Sequence, residues 1–340
     1  AGYYSYPATV DIDGDRDVDL FIGDLDGGVR FYRNMTPSVE IAPGFKTVIT
    51  GDSFTFETKE TIPGGIFWSL EQNQSGASID GLNGVYTAGE NSGVVDLIKV
   101  TSKNNHALTG FAYINVIDHA SQSRLGKAII MAGRKPDDHL WDTTNRLANF
   151  TYNTLLYRGF SKENIQYLNP VTNQDSDGNG NSSDDVDAAS SLSGFEDALD
   201  SSASGSSQVL IHLIDHGGAD ENGNNGFFRC SKTDLLHAAH LDQLLDRLQE
   251  EEGVTTLTLI VDCCHSGAFM KECYGAPEGS VRIILTSSSD IQPSFYSAGG
   301  LISFTSSFYS SAYSGSSLKE AFNLTAGALN RYQQPRMDDD

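Results

Sequence analysis

Two short segments carry side chains that could perform nucleophilic chemistry. Residues 211–218 form an apolar run that ends in an aspartate, a histidine and two glycines, and residues 259–267 form an apolar run that ends in Asp-Cys-Cys-His-Ser-Gly. Cysteine nucleophilic catalysis requires a thiolate and an imidazole. The glycines would let the backbone approach a substrate closely, and amide groups there could bind an oxyanion.

Each of these residues alone has an ordinary structural explanation. A cysteine at a strand end is usually a small buried apolar side chain. A single histidine is usually a surface residue or a hydrogen-bonded core residue. Both segments, however, end as strands of one predicted sheet, and function in open α/β sheets concentrates at the carboxyl ends of the strands. Together they favour a catalytic site.

The two segments resemble the motifs of caspase-like cysteine peptidases of clan CD, which include legumains, metacaspases and clostripain-like enzymes. His216-Gly217 is similar to the His-Gly motif, and residues 262–267 are similar to Asp-x-Cys-His-Ser-Gly. The flanking segments 167–170 and 187–189 are most similar to bacterial legumain-like proteins. The resemblance covers about residues 124–334.

This resemblance implies a role for each site residue. Cys264 would be the nucleophile, while Cys263 occupies the variable position and is expected to be a packed thiol. His216 would protonate the leaving amine, with looser geometry than a Ser-His triad. Backbone amides of Gly217 and Cys264 would bind the oxyanion. Asp215 could orient the loop or simply cap the turn at the strand end.

The resemblance also implies a specificity pocket. Asp262, two residues before the nucleophile, would line it. Our alignment puts Asp142 in the region where legumains carry a basic pair, and puts Ser307 in place of a later legumain acid. Carboxylates without a compensating base attract guanidinium or ammonium groups. We therefore expect cleavage after Arg or Lys, with Asn as the alternative.

An acidic loop near the start of the chain predicts a calcium site. Its candidate ligands are the alternate residues Asp11, Asp13, Asp15, Asp17 and Asp19. This spacing lets carboxylates converge on a hard cation. The alternative is a solvated acidic turn. Residues 7–34 resemble one FG-GAP/VCBS-type repeat, although Arg16 stands where such loops usually carry glycine.

A second candidate calcium loop covers residues 175–185 and opens like an EF-hand loop. Its candidate ligands are Asp175, Asp177, Asn179 and Asn181. Val186 stands where an EF-hand has its closing glutamate, so Asp184, Asp185 or Asp187 could close the site instead. A flexible linker is the alternative. Ca²⁺ is the expected cofactor, with no organic cofactor.

The order of elements predicts a multidomain chain. Residues 1–40 are assigned to the calcium-binding repeat, and residues 41–118, with short strands between Gly, Asn and Ser, to an all-β sandwich that resembles bacterial Ig-like domains. Residues 119–126 are a predicted linker. In residues 127–340 apolar strands alternate with helices, which predicts an α/β domain with a mostly parallel sheet flanked by helices.

The amino-acid composition argues against some classes of function and favours others. The 22 basic and 45 acidic residues give a net charge of −23, which opposes nucleic-acid binding and favours divalent cations. The sequence has no run of 18 apolar residues, so it predicts no transmembrane helix. Four cysteines do not make a disulfide scaffold. Cys230 and Cys273 could pair or stay free.

The combined expectation is a secreted or cell-surface, calcium-dependent cysteine endopeptidase that acts on proteins or peptides. The chain begins and ends within motifs, so we expect a longer precursor, which could itself be a substrate. One alternative is a structural or adhesive surface protein with a catalytically idle peptidase-like domain. A weaker one is a non-proteolytic thiol hydrolase or transferase. The sequence leaves the oligomeric state open.

Overall fold

The computed structural model describes residues 6–10, 19–23 and 29–32 as strands, and residues 38–42, 44–133, 137–203, 205–313 and 316–338 in more detail. The chain divides into two compact units, residues 1–118 and residues 119–340.

The first unit opens with a small antiparallel sheet of three strands, β1 (Tyr6–Val10), β2 (Asp19–Gly23) and β3 (Val29–Tyr32). Asp19 begins β2 and pairs with Val10 of β1. The other candidate ligands of the first calcium loop lie outside the described residues, so that site stays a prediction.

The rest of the first unit is built from short strands. They are β4 (Ile41–Ala42), β5 (Phe45–Ile49), β6 (Ser53–Thr55), β7 (Glu57–Thr58), β8 (Ile66–Gln72), β9 (Ser78–Ile79), β10 (Val85–Thr87), β11 (Val94–Ser102) and β12 (Thr109–Ile117). The largest sheet has the order β5-β12-β11-β8, and a second has the order β6-β10-β9. Trp68 and Tyr86 are buried in one shared core, as expected of core aromatics.

The second unit contains a six-stranded sheet of order β14-β13-β15-β19-β20-β21. Its strands are β13 (Lys127–Ala132), β14 (Ile165–Leu168), β15 (Gln208–Ile214), β19 (Thr256–Asp262), β20 (Val281–Thr286) and β21 (Arg336–Asp338). Five run parallel, and only β21 is antiparallel to its neighbour. The prediction of a mostly parallel sheet is confirmed. A separate sheet joins β16 (Gly217–Gly218), β17 (Phe227–Arg229) and β18 (Leu235–His237).

Helices cover both faces of the six-stranded sheet. They are α2 (Trp141–Tyr157), α3 (Leu192–Ala203), α4 (Ala238–Glu250), α5 (Gly267–Glu272), α6 (Phe304–Tyr313) and α7 (Leu318–Leu329), while the short helix α1 (His119–Arg124) precedes β13. One core packs α3, α4 and α5 against the sheet, and the other packs α2, α6 and α7 against the opposite face. Because both faces are covered, the central strands are mostly apolar, and their few polar side chains, such as His212 in β15 and Thr258 in β19, are also buried.

No helix within the described ranges is both long enough and apolar enough to cross a membrane.

Candidate active site

The register of two neighbouring strands brings the two motifs together. β15 and β19 are parallel, and Ile214 lies opposite Asp262 at their carboxyl ends. His216 and Cys264 each follow two residues beyond this pair. Parallel pairing therefore places the predicted imidazole and the predicted nucleophile at the same edge of the sheet.

The two adjacent cysteines lie in different environments. Cys263 is fully buried, whereas Cys264 is only partly buried. Burial raises the pKa of the Cys264 thiol, and a hydrogen bond from the Ser294 backbone amide opposes this rise. Burial raises the pKa of Cys263 further, well above its usual range. A reactive cysteine needs access to its substrate, so the structure favours Cys264.

The turn that carries Cys264 is held by the loop of residues 287–294. The hydroxyl of Ser294 donates to the Cys263 carbonyl at 2.7 Å. His265 has a positive φ of 59°, and its Nδ1 lies 3.0 Å from the Asp290 carbonyl oxygen. Such a backbone conformation is uncommon outside glycine. The histidine of the Cys-His-Ser-Gly motif thus anchors the turn to this loop.

His216 is positioned by an aspartate that sequence reasoning did not select. Its Nε2 lies 2.9 Å from Oδ1 of Asp138 and 3.9 Å from Oδ1 of Asp215. Asp138 lies in the turn between β13 and α2. Since β13 pairs with β15 in parallel, this turn falls at the same sheet edge. The strand order would have identified Asp138 as a candidate.

Asp215 orients the loop after β15. It is buried, and its Oδ1 accepts a hydrogen bond from the His216 backbone amide at 2.6 Å. The hydroxyl of Thr144 in α2 donates to its other oxygen at 3.4 Å. The same two contacts orient the loop and cap the turn, so the two roles expected of Asp215 are compatible with each other.

Gly217 lies against the buried cysteine. An alanine Cβ at this position would lie 2.3 Å from Cys263 Sγ and 2.9 Å from the Phe227 carbonyl oxygen. Residue 217 therefore has to be glycine for the segment after His216 to pack this closely beside Cys263.

The two acidic residues assigned to the specificity pocket differ in their exposure to solvent. Asp262 is 1% exposed, and its Oδ2 accepts hydrogen bonds from the Thr305 amide at 3.1 Å and the Thr305 hydroxyl at 2.6 Å. Burial raises its pKa, and the bonds from Thr305 oppose this rise. Asp142 is exposed in the first turn of α2. The carboxylate of Asp262 thus braces α6, and Asp142 faces solvent.

Ser307 lies on a different side of α6 from Thr305. At about 100° per residue, two residues separate their side chains by ~200° around the helix axis. The Ser307 amide and carbonyl bond to Ser303 and Ser311 of the same segment. Asp262 therefore contacts α6 through Thr305, a residue that the sequence alignment passed over.

In the second acidic loop, carboxylate oxygens of Asp175, Asp177 and Asp185 lie within 4.8 Å of one another. Asp185 is one of the residues expected to close the loop. Asn179 and Asn181 fold back on the loop instead, since the Asn179 side-chain amide donates to Asp177 and Asp184, and Asn181 Oδ1 accepts from Ser183.

A lysine lies beside this acidic cluster. Lys162 Nζ is 2.9 Å from Asp177, 2.9 Å from Asp184 and 2.7 Å from Asp185. Burial acts to lower the pKa of Lys162, but the hydrogen bonds that its ammonium group donates to these aspartates outweigh it and raise the pKa above the usual value. The ammonium group thus offsets much of the mutual repulsion of these carboxylates.

All four cysteines are free thiols, so Cys230 and Cys273 do not form a disulfide. Both are fully buried. Cys273 Sγ lies 3.6 Å from the Ala238 carbonyl oxygen.

Residues 185–326 match the Peptidase C13 family. The matched region covers less than half of the 340-residue chain. It contains both His216 and Cys264, and it supports a cysteine peptidase of the caspase- and legumain-like clan CD, as the motifs predicted. Asp138 and Asp142 lie outside the matched residues. The FG-GAP/VCBS-like repeat and the Ig-like domain stay predictions.

Among solved structures, the chain is similar to caspase-1 from Spodoptera frugiperda, at 12% sequence identity and a TM-score of 0.44. The similarity covers 64% of this chain and 87% of that one. No curated protein matches the chain.

Proposed function

We propose that the second unit is a cysteine endopeptidase that uses Cys264 as its nucleophile and His216 as its general acid. The strand register that puts both residues two positions beyond Ile214 and Asp262 carries this proposal. The Peptidase C13 match over residues 185–326 supports it independently.

In the proposed reaction, Cys264 Sγ attacks the scissile carbonyl carbon and the amide C–N bond then breaks. The thiol proton passes to His216, which delivers it to the leaving amine nitrogen. Backbone amides of Gly217 and Cys264 bind the oxyanion. Water then hydrolyses the thioester. The Asp138 carboxylate fixes the His216 ring through its contact with Nε2.

Because Cys263 and Cys264 are adjacent, alanine variants of the two can be compared directly to test which one is the nucleophile. Cys264→Ala should abolish cleavage of a peptide library, while Cys263→Ala should keep most of it because the side chain is a packed thiol. His216→Ala should cost at least ~10²-fold in kcat/KM, the scale of lost general acid–base catalysis. An electrophilic peptide inhibitor should label Cys264, as detected by mass spectrometry.

The opposite pattern, with loss only in Cys263→Ala, would reject the assignment. A folded wild-type protein that neither cleaves the library nor reacts with the inhibitor would favour the idle, structural domain instead.

We further propose cleavage after Arg or Lys. Two carboxylates without a basic partner in the pocket expected from the family resemblance support this preference: Asp262 at the end of β19 and Asp142 in the first turn of α2. Two substrates that differ only in Arg or Asn before the scissile bond test it. Asp142→Asn and Asp262→Asn then distinguish an exposed acid from a buried one. Faster cleavage after Asn by the wild type would contradict a basic preference.

We propose that Ca²⁺ stabilises both acidic loops. For the second loop, the convergence of oxygens from Asp175, Asp177 and Asp185 supports this, because Ca²⁺ prefers carboxylate ligands. Lys162 would compete with the ion for the same carboxylates. Millimolar Ca²⁺ should raise the melting temperature relative to chelator, and Asp177→Asn should reduce the rise. An unchanged melting temperature in the wild type would count against both loops.

We also propose that the protein is secreted or located at the cell surface. Its proposed substrates are proteins or peptides, and a longer form of the same chain is one candidate substrate. Resemblance to secreted modular proteins supports the location. Fractionation of the source cells tests it. Expression of a longer form carrying Cys264→Ala should accumulate uncut protein, and identical trimming of that variant would assign the cutting to another protease.

A further inference from the structure

Three side chains at the sheet edge form a cluster of mixed metal-ligand type. Asp138, His139 and His216 each offer a ligand atom, and these atoms lie within 4.8 Å of one another. Asp138 and His139 come from the turn before α2, and His216 comes from the loop after β15. The cluster therefore joins two segments that are distant in the sequence.

The spacing of the three groups suits a small tetrahedral cation. Asp138 Oδ1 lies 2.9 Å from His216 Nε2 and 3.5 Å from His139 Nδ1. Ligands bonded to zinc at about 2.0–2.1 Å stand roughly 3.3 Å apart in a tetrahedron, so the two distances bracket the required one. The imidazole rings are tilted by 52° with centroids 5.7 Å apart, and they are not stacked face to face.

The types of ligand in the cluster determine which cation it should bind most tightly. Two imidazoles with one carboxylate form a ligand set used by zinc sites that keep an open fourth position. Imidazole suits Zn²⁺, whereas Ca²⁺ takes oxygen ligands. Calcium bound at the acidic loops would therefore not compete for this cluster.

The cluster is also open to a cation from solvent. The His139 side chain is 79% exposed, and those of His216 and Asp138 are 21% and 11% exposed. A second carboxylate, that of Asp215, lies 3.9 Å from His216 Nε2. Two carboxylates near the binding point, in a chain of net charge −23, favour a divalent cation.

We propose that Zn²⁺ binds Asp138, His139 and His216 and reversibly inhibits the enzyme. Zn²⁺ on Nε2 of His216 occupies the nitrogen that contacts Asp138, so the ring cannot become an imidazolium and cannot carry the thiol proton to the leaving amine. Zinc binding stands on the cluster alone, while inhibition rests on the proposed peptidase function. His139 is the residue through which the site can be tested, because it ligates the metal without a role in the proposed reaction.

Binding is measured first, by Co²⁺ absorption and by calorimetric Zn²⁺ titration of the full chain carrying Cys264→Ala. This background removes the Cys264 sulfur, which follows the neighbouring strand at the same sheet edge, as a possible ligand. We expect a one-to-one site whose affinity falls at least ~10-fold in the added His139→Ala variant, the scale of a lost ligand-shell contact. His240→Ala is the matched control, because His240 also lies beside a carboxylate, with Nε2 3.3 Å from Glu196.

Inhibition is measured next, on the wild-type cysteine background. Zn²⁺ should inhibit the wild type and His240→Ala equally, and a chelator should restore activity. His139→Ala should cleave normally without zinc and need at least ~10-fold more Zn²⁺ for half-inhibition. Equal zinc affinity in His139→Ala, or loss of binding in Cys264→Ala, would overturn the site. Intact binding with no peptidase activity in any form would reject the proposed function and leave the zinc site standing.

Discussion

Replacing Gly217 by alanine should remove most activity by pushing on Cys263. The new Cβ would lie 2.3 Å from Cys263 Sγ, against ordinary contacts of 3.4–4 Å. The two atoms must therefore separate by at least about 1.1 Å, and a misplacement of about 1 Å can cost ~10²-fold in rate. The other close contacts, at 2.9 Å to the Phe227 carbonyl oxygen and 3.0 Å to Cys263 Cβ, need smaller adjustments.

The sulfur is the main obstacle, so removing it should rescue the variant. We expect kcat/KM on a fluorogenic peptide to fall at least ~10²-fold in Gly217→Ala and to recover most of that loss in Gly217→Ala/Cys263→Ala. Cys263→Ala alone is the control and should stay active. Melting curves confirm that each variant is folded. If the folded double variant is as inactive as Gly217→Ala, then the alanine acts on the oxyanion amide or the backbone, and this reasoning is refuted.

Three further predictions follow from buried groups of the second unit. Burial lowers the pKa of His212 to about 3, so the folded state cannot take up the proton that the unfolded state binds below about pH 6.5. Acidification from pH 6.5 to 5 should therefore lower the free energy of unfolding by ~2 kcal/mol. In denaturant titrations, His212→Leu should remove this part of the pH dependence. Thr305→Val removes the hydroxyl that donates to buried Asp262 and should cost ~1–3 kcal/mol, whereas Thr305→Ser should cost less; equal losses would contradict the hydrogen bond. Because partial burial raises the pKa of Cys264, its alkylation by iodoacetamide should accelerate at higher pH than that of a cysteine peptide, and a midpoint at lower pH would contradict the raised pKa.

The sheet and its two reactive strand ends were predictable because their determinants are local. Continuous apolar runs identify covered parallel strands, and each run ends directly in its polar residues. Once β15 and β19 are neighbours, the chain geometry brings His216 and Cys264 to one edge without further information. The residues of greatest chemical interest could therefore be proposed from the sequence.

The contacts that hold those residues were not predictable in the same way. Asp138 meets His216 across 78 positions of the sequence, and Thr305 meets Asp262 across 43. Such contacts depend on the order of the strands and on the rotation of a helix. Thr305 and Ser307 are only two residues apart, but their side chains lie on different sides of α6, and only the structure shows that Thr305 is the one that contacts Asp262.

The choice between the two adjacent cysteines, in contrast, follows from the period of the strand. Successive side chains of β19 point to opposite faces of the sheet. Leu259, Val261 and Cys263 all belong to the core beneath α3, α4 and α5, while Ile260 belongs to the opposite core. Cys263 thus continues an apolar face beyond the end of the strand, and the next residue cannot share it. The same alternation that buries Cys263 leaves Cys264 partly exposed, which is why a family resemblance and a packing argument select the same sulfur.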